Sequence, residues 1–179
     1  MRNDDGTMPE ASPEWTPSVS TRTVRPVVAT PRNDVETFTR LTPDDPKRAA
    51  RMDQAMNVND WYLFHGVGNV IIFHRVIAPR LMGKAPDEAA IEAAMPKAKT
   101  VFNELARLLG RASYFAGEEI SLADMLLAPA VAFFTRTPEW SVLGAPHHHL
   151  VAWLSRMEAR PSMQATTWER LTALVAQAA

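Results

Sequence analysis

Apolar residues recur along most of this chain at the three- and four-residue spacing of one helix face, and nowhere in the sustained alternation of a strand. The cleanest run is Ile91, Met95, Ala98, Phe102, Leu105 and Leu109. It predicts an amphipathic helix that opens at Asp87 and stops at Gly110. Pro96 falls inside it and is expected to kink the helix or loosen its first turns. A face nearer the N-terminus is marked by Met52, Met56, Leu63, Val67, Val70 or Ile71, His74 and Ile77, with a slip of register around residues 57–60. Its start signal is residues 42–46, where Asp44 or Asp45 caps and Pro46 suits the first turn. Gly66 and Gly68 each weaken such a helix by ~1 kcal/mol relative to alanine, which is tolerable where another helix or a ligand approaches closely. This helix is expected to end before Pro79, with residues 82–86 forming a loop.

Residues 115–124 organise the C-terminal part of the chain. Ser121 and Asp124 have the spacing of a capping box, in which each residue satisfies the backbone N–H of the other. Ile120 and Met125 stand where a hydrophobic staple needs them, and the Asp124 carboxylate faces the positive end of the helix dipole. The helix behind the box, residues 125–134, has almost no polar face, so it is expected to be central and buried. Residues 135–146 read as a loop, 147–160 as a short helix with Leu150, Val151, Trp153, Leu154 and Met157 inward. After Pro161, Ser162 caps a last helix carrying Met163, Trp168, Leu171, Leu174 and Val175. The pattern is all-α, a bundle of about five helices around the capped helix.

The first 46 residues break the pattern. They hold seven of the 14 prolines, five Arg against eight Asp and Glu, and no sustained apolar period apart from a short extended piece at 23–29. Residues 1–40 therefore read as an irregular or disordered arm, and 41–179 as the folded domain. Apolar residues make up 46% of the chain, enough for one core. A net charge of −1 gives no electrostatic case for nucleic acid. The longest apolar run, 125–134, is too short to span a membrane. With no cysteine there is no disulfide, thiolate metal site or cysteine nucleophile. A cytoplasmic location is expected.

Three ordered stretches carry a family resemblance. Residues 41–54 resemble the entry into the first helix of the C-terminal helical domain of the glutathione transferases. Tyr114–Gly117 together with Ile120–Asp124 is similar to that domain's capping signature, and Trp153–Leu154 with Arg160–Ser162 resembles the end of its penultimate helix. The flavour is closest to phi-like bacterial members, over about residues 41–179. The resemblance implies transfer of glutathione, as co-substrate, to electrophilic hydrophobic molecules. In that chemistry a thioredoxin-like N-terminal domain supplies the catalytic Tyr, Ser or Cys, and the helical domain shapes the hydrophobic pocket. Residues 1–40 do not carry that domain's motifs, so no catalytic residue is assigned. The expectation is an incomplete chain, weakly active or inactive alone, with residues 1–33 reflecting truncation, a wrong start or a shifted frame. The alternative is a non-catalytic interaction module on the same fold.

On the middle of the first helix Trp61, Phe64, His65 and Gly68, spaced by three and four, can share a surface. The resemblance makes it the substrate-binding surface; ordinary core or interface packing is the plainer reading. Ser121 and Asp124 are assigned a structural capping role, not a catalytic one. Three consecutive histidines, His147, His148 and His149, point about 100° apart on a helix and have no acidic partners, so no metal site is expected. Arg48, Arg51 and Asp53, with Met52 and Met56, lie on the helix that the family uses for pairing. A homodimer through the 45–78 and 87–109 helices is expected by resemblance, with a solvated charged face as the plainer reading.

Overall fold

The structure is a computed structural model and describes residues 41–178; the expected irregular arm, 1–40, lies outside the described residues. Seven helices form the described chain, with no strand among them. The first, α1 (residues 46–82), is a continuous rod of changing pitch. It is α-helical over Pro46–Asn57, wound more widely over Val58–Gly68, α-helical over Asn69–Ile72, wide again over Phe73–Ile77, and α-helical over Ala78–Met82. The others are α2 (Glu88–Leu109), α3 (Leu122–Phe134), α4 (Trp140–Leu143), α5 (His148–Glu158), α6 (Pro161–Ala165) and α7 (Trp168–Ala178).

The starts are set by short acidic side chains. Asp45 accepts the Arg48 N–H at 2.8 Å with Pro46 in the first turn, and Asp87 accepts the Ala90 N–H at 3.0 Å. Each satisfies a donor that the first helical turn leaves unpaired. The wide turns of α1 are closed by bonds five residues back, Asn69 N–H to Phe64 O and Ala78 N–H to Phe73 O. Such winding is uncommon and clusters at functional sites. It explains the register slip in the sequence: the buried positions run Met52, Ala55, Asn59, Leu63, Val67, Ile71, Val76, drifting from a spacing of three to four and then five. Gly68 suits it, because a Cβ there would sit 3.0 Å from the Leu63 carbonyl oxygen.

The structure corrects three expectations. The first helix runs through Pro79 to Met82 and ends at Gly83, whose φ of 63° is left-handed. Pro79 stands at the start of the last α-helical segment, just after a widened turn, where one missing amide is tolerated. The last helix is two, α6 and α7, separated at residues 166–167, and Leu171 and Leu174 are exposed. Within the expected loop 135–146 a single turn, α4, lays Trp140 against Phe102, ring centroids 6.1 Å apart. Pro96 does not interrupt α2, which runs as one helix of 22 residues.

The core forms where α3 packs against α1 and α5, and α2 packs against α1, α4 and α5. Ala123, Leu127, Ala128, Val131 and Phe134 of α3 are fully buried. Phe134 meets Phe102 edge to face at 5.0 Å, and Phe115 meets Trp153 in the same way at 5.0 Å, a geometry that aromatic quadrupoles favour. The capping box is present, and its carboxylate is the busiest acceptor in the core. Asp124 takes the Ser121 N–H (2.8 Å), the Ser121 hydroxyl (2.7 Å), the Phe115 N–H (2.9 Å) and the Trp153 indole N–H (2.8 Å). Ile120 and Met125 both pack on the core as the staple requires.

Candidate functional site

A groove of about 450 Å³ lies between the widely wound part of α1 and the outer side of α3. From α1 it is lined by Asn59, Leu63, Phe64, Gly68, Asn69, Ile72, Phe73 and Ile77, and from α3 by Leu126, Pro129, Ala130, Phe133 and Phe134. The α1 residues fall at intervals averaging four to five. That is the stripe a helix presents when its turns are closed by i→i+5 bonds, which hold roughly 4.4 residues each. At α-helical pitch the same residues would spiral away from α3. The winding therefore keeps one side of α1 on the groove for its whole length.

That winding also decides which predicted residues meet. Phe64 and Gly68 come together on the groove wall. Trp61 and His65 do not line it; they stand on the neighbouring outward stripe, with ring centroids 6.5 Å apart. His65 meets Phe64 edge to face at 5.3 Å, bridging the two stripes. Trp61 is 68% exposed and Phe64 53% exposed, so both offer aromatic surface to solvent. Gly66, between the stripes, is approached by Lys97 of α2, whose Cε and Nζ would lie 3.2 Å from a Cβ there. The close approach of a second helix is the condition under which the sequence tolerated that glycine.

The lining that the sequence did not reveal comes mostly from α3. Its lack of a polar face suggested burial on all sides. In the structure one side is in the core, while Leu126 is 42% exposed and faces the groove with Pro129, Ala130 and Phe133. The signal was present in those residues, at spacings of three and four, but a helix apolar all round does not tell which side is covered.

Among the described residues the groove has no ionisable side chain in its lining, and Asn59 and Asn69 are the polar residues there. Its walls can bind and orient an apolar body, but offer no acid, base or nucleophile. His147 is at the head of α5 and His148 and His149 are exposed, and among the described residues no group of three or more His, Cys, Asp or Glu could hold a metal. Arg48 and Arg51 are engaged within the chain. Arg48 Nε donates to Ala116 O at 2.9 Å and Arg51 Nη2 to Leu108 O at 3.4 Å. No helix among the described residues is long and apolar enough to cross a membrane.

Residues 69–161 match the family described as glutathione S-transferase, C-terminal domain. The chain belongs to the glutathione S-transferase family. Its relatives include plant phi-class enzymes. It is 36% identical over 96 residues to a probable glutathione S-transferase of Oryza sativa subsp. japonica, covering 54% of this chain and 44% of that protein. It is 32% identical over 126 residues to glutathione S-transferase F14 of Arabidopsis thaliana, covering 69% and 49%. The fold is similar to the apo form of glutathione S-transferase III, with a TM-score of 0.62, 29% identity, and coverage of 70% of this chain and 56% of that one. This glutathione S-transferase chain spans about half the length of the curated relatives it matches. The resemblance carried by residues 41–54, 114–124 and 153–162 is thus borne out, as is the all-α fold.

Proposed function

We propose that this chain contributes the hydrophobic-substrate pocket of a glutathione transferase, with the α1–α3 groove receiving the electrophile and Phe64 and Gly68 forming its wall. The observation that carries this is the groove itself: an apolar cleft, floored by wide-turn helix, on a member of a family whose named relatives are glutathione S-transferases. A volume of about 450 Å³ is within the range of small-molecule sites. Trp61 and His65 then flank the entrance rather than line the pocket. Activation of the glutathione thiol falls to a thioredoxin-like domain, since the groove has no group that could stabilise a thiolate. A cytoplasmic setting accords with this reading. The test is a titration of the full chain with 1-chloro-2,4-dinitrobenzene, with and without glutathione. Saturable binding of the aryl halide that Phe64→Ala weakens is expected. Absence of saturable binding, or binding indifferent to Phe64→Ala, overturns the proposal. Turnover with glutathione would further show that thiol activation is present in this chain.

The second reading, an association surface, is favoured by a different observation. Trp61, Tyr62 and Phe64 are each more than half exposed on one segment of α1, an apolar cluster that marks interaction sites. Homodimerisation through residues 45–78 and 87–109 would cover it. Light scattering on the full chain and on Trp61→Ser tests this; a monomer in both sinks it.

A further inference from the structure

A residue of the groove wall carries a buried side-chain atom that has no hydrogen-bond partner among the described residues. Asn59 is 93% buried, lying at the head of the wide-turn segment on the groove wall. Its Nδ2 donates to Asp60 Oδ1 at 2.9 Å, which fixes the amide orientation, since the flipped amide would set two oxygens against each other. Among the described residues its Oδ1 has no donor. A buried carbonyl oxygen without a donor is costly, and such groups call for an explanation in a ligand, a water or strain. The rest of the wall offers no donor to this oxygen: the other lining side chains are apolar apart from Asn69, and the two amides are ten residues apart on the rod.

We infer that Asn59 Oδ1 is the polar determinant of the groove, selecting apolar ligands that carry an N–H or O–H donor at one end over wholly apolar ones. The inference rests on the groove being the hydrophobic-substrate pocket. The ligand body lies along Leu63, Phe64, Ile72 and Phe133, and its donor reaches the Asn59 end. Oδ1 is covered by its neighbours, and because the terminal amide torsion is soft it can turn toward a ligand at the cost of the bond to Asp60. The ligand class is an aromatic or alicyclic molecule with a single hydroxyl or a non-basic N–H such as an anilide or indole N–H, and without net charge, because the groove has nothing to pair with one.

The test uses two matched probes, 1-naphthol and 1-methylnaphthalene, titrated calorimetrically into the full chain and into Asn59→Leu and Asn59→Ala. Methylnaphthalene is the more hydrophobic, so the readout is the ratio of the two affinities rather than either alone. Removing the acceptor is expected to shift that ratio against naphthol by roughly three- to tenfold in both variants, the range of one net hydrogen bond. An unchanged ratio in a variant that melts as cooperatively as the parent overturns the inference and leaves the pocket reading standing. Failure of both probes to bind the parent chain overturns the two together. Two variants of different bulk keep the result from depending on how one of them packs.

Discussion

Trp153 donates its indole N–H to the Asp124 carboxylate at 2.8 Å, joining α5 to the first turn of α3 inside the core. Both residues are fully buried. The same carboxylate holds Phe115 and Ser121, so one side chain fastens the loop before α3, the start of α3 and the face of α5. A cap of this kind does more than end a helix. Asp124→Ala takes the acceptor from four buried donors, and is expected to cost about 3–5 kcal/mol. Trp153→Phe keeps the ring packing on Phe115 but removes one charge-assisted bond, at about 1.5–3 kcal/mol. Urea unfolding measures both; an Asp124→Ala loss below about 1 kcal/mol, the size of one ordinary hydrogen bond, would show that the carboxylate is not the fastening point.

Gly144 and Gly83 separate two reasons for a glycine. Gly144 has a φ of −104°, open to any residue, but a Cβ there would lie 1.9 Å from the Trp140 ring. Its replacement by alanine must push Trp140 off Phe102, and is expected to cost about 1–3 kcal/mol, as overpacking does. Gly83 has open space around it and a φ of 63°. Its alanine variant meets no atom and suffers only the left-handed backbone, about 1–2 kcal/mol. Circular dichroism melts give the two losses. Quenching or shift of Trp140 fluorescence should accompany only the first; if Gly144→Ala melts like the parent, the ring is not held where the structure puts it.

The fold was legible because its signals are local. Asp45 and Asp87 as caps, the Ser121–Asp124 box, and the period of Ile91 to Leu109 each depend on residues within a few positions of one another. The features that stayed hidden depend on pitch and on coverage. The set Trp61, Phe64, His65 and Gly68 assumed 3.6 residues per turn; the wide turns rotate Phe64 and Gly68 onto the groove and carry Trp61 and His65 past it. The slip at residues 57–60 was the trace of that winding, but a slip alone does not say that the helix continues wider. Likewise, the apolar girdle of α3 could not reveal that Leu126 and Phe133 face an open cleft. Asn59 lies within that slip, and its buried oxygen, unpaired among the described residues, is what singles it out.

Acid should loosen the end of the chain first. Arg136 grips Glu169 with two hydrogen bonds, at 2.7 and 3.0 Å, tying the start of α7 to the residues after α3. Those bonds, helped by a backbone N–H, draw the Glu169 carboxyl down to about 2 from an ordinary 4.5. A carboxyl whose folded pKa lies below its unfolded value binds fewer protons when folded. The stability it contributes is full above about pH 4.5 and drains as pH falls toward 2. The group is exposed, so the effect is small and screened by salt. Melts across the acid range, from the folded pKa to well above the unfolded one, should show a shallower acid loss in Glu169→Gln than in the parent. Identical slopes would mean the pair contributes nothing.

Gly66 and Gly68 lie two residues apart on the wide-turn segment and should respond to alanine in opposite ways. A Cβ at 66 would meet Lys97 Cε and Nζ at 3.2 Å, the free end of a flexible chain. Lys97 can step aside, and the helix gains up to about 1 kcal/mol in propensity. Gly66→Ala is therefore expected to be neutral or stabilising. A Cβ at 68 would meet the Leu63 carbonyl oxygen at 3.0 Å. That oxygen belongs to the winding, and it can retreat only if the turn changes pitch. Gly68→Ala should offset its propensity gain and lose about 1–2 kcal/mol net, in the range of overpacked sites. It should also weaken aryl-ligand binding, because a change of pitch between Leu63 and Gly68 moves Phe64 on the groove wall. Thermal melts and ligand titrations on the two variants side by side decide the matter. If Gly68→Ala is as stable as Gly66→Ala and binds as the parent does, the groove does not depend on the winding of α1.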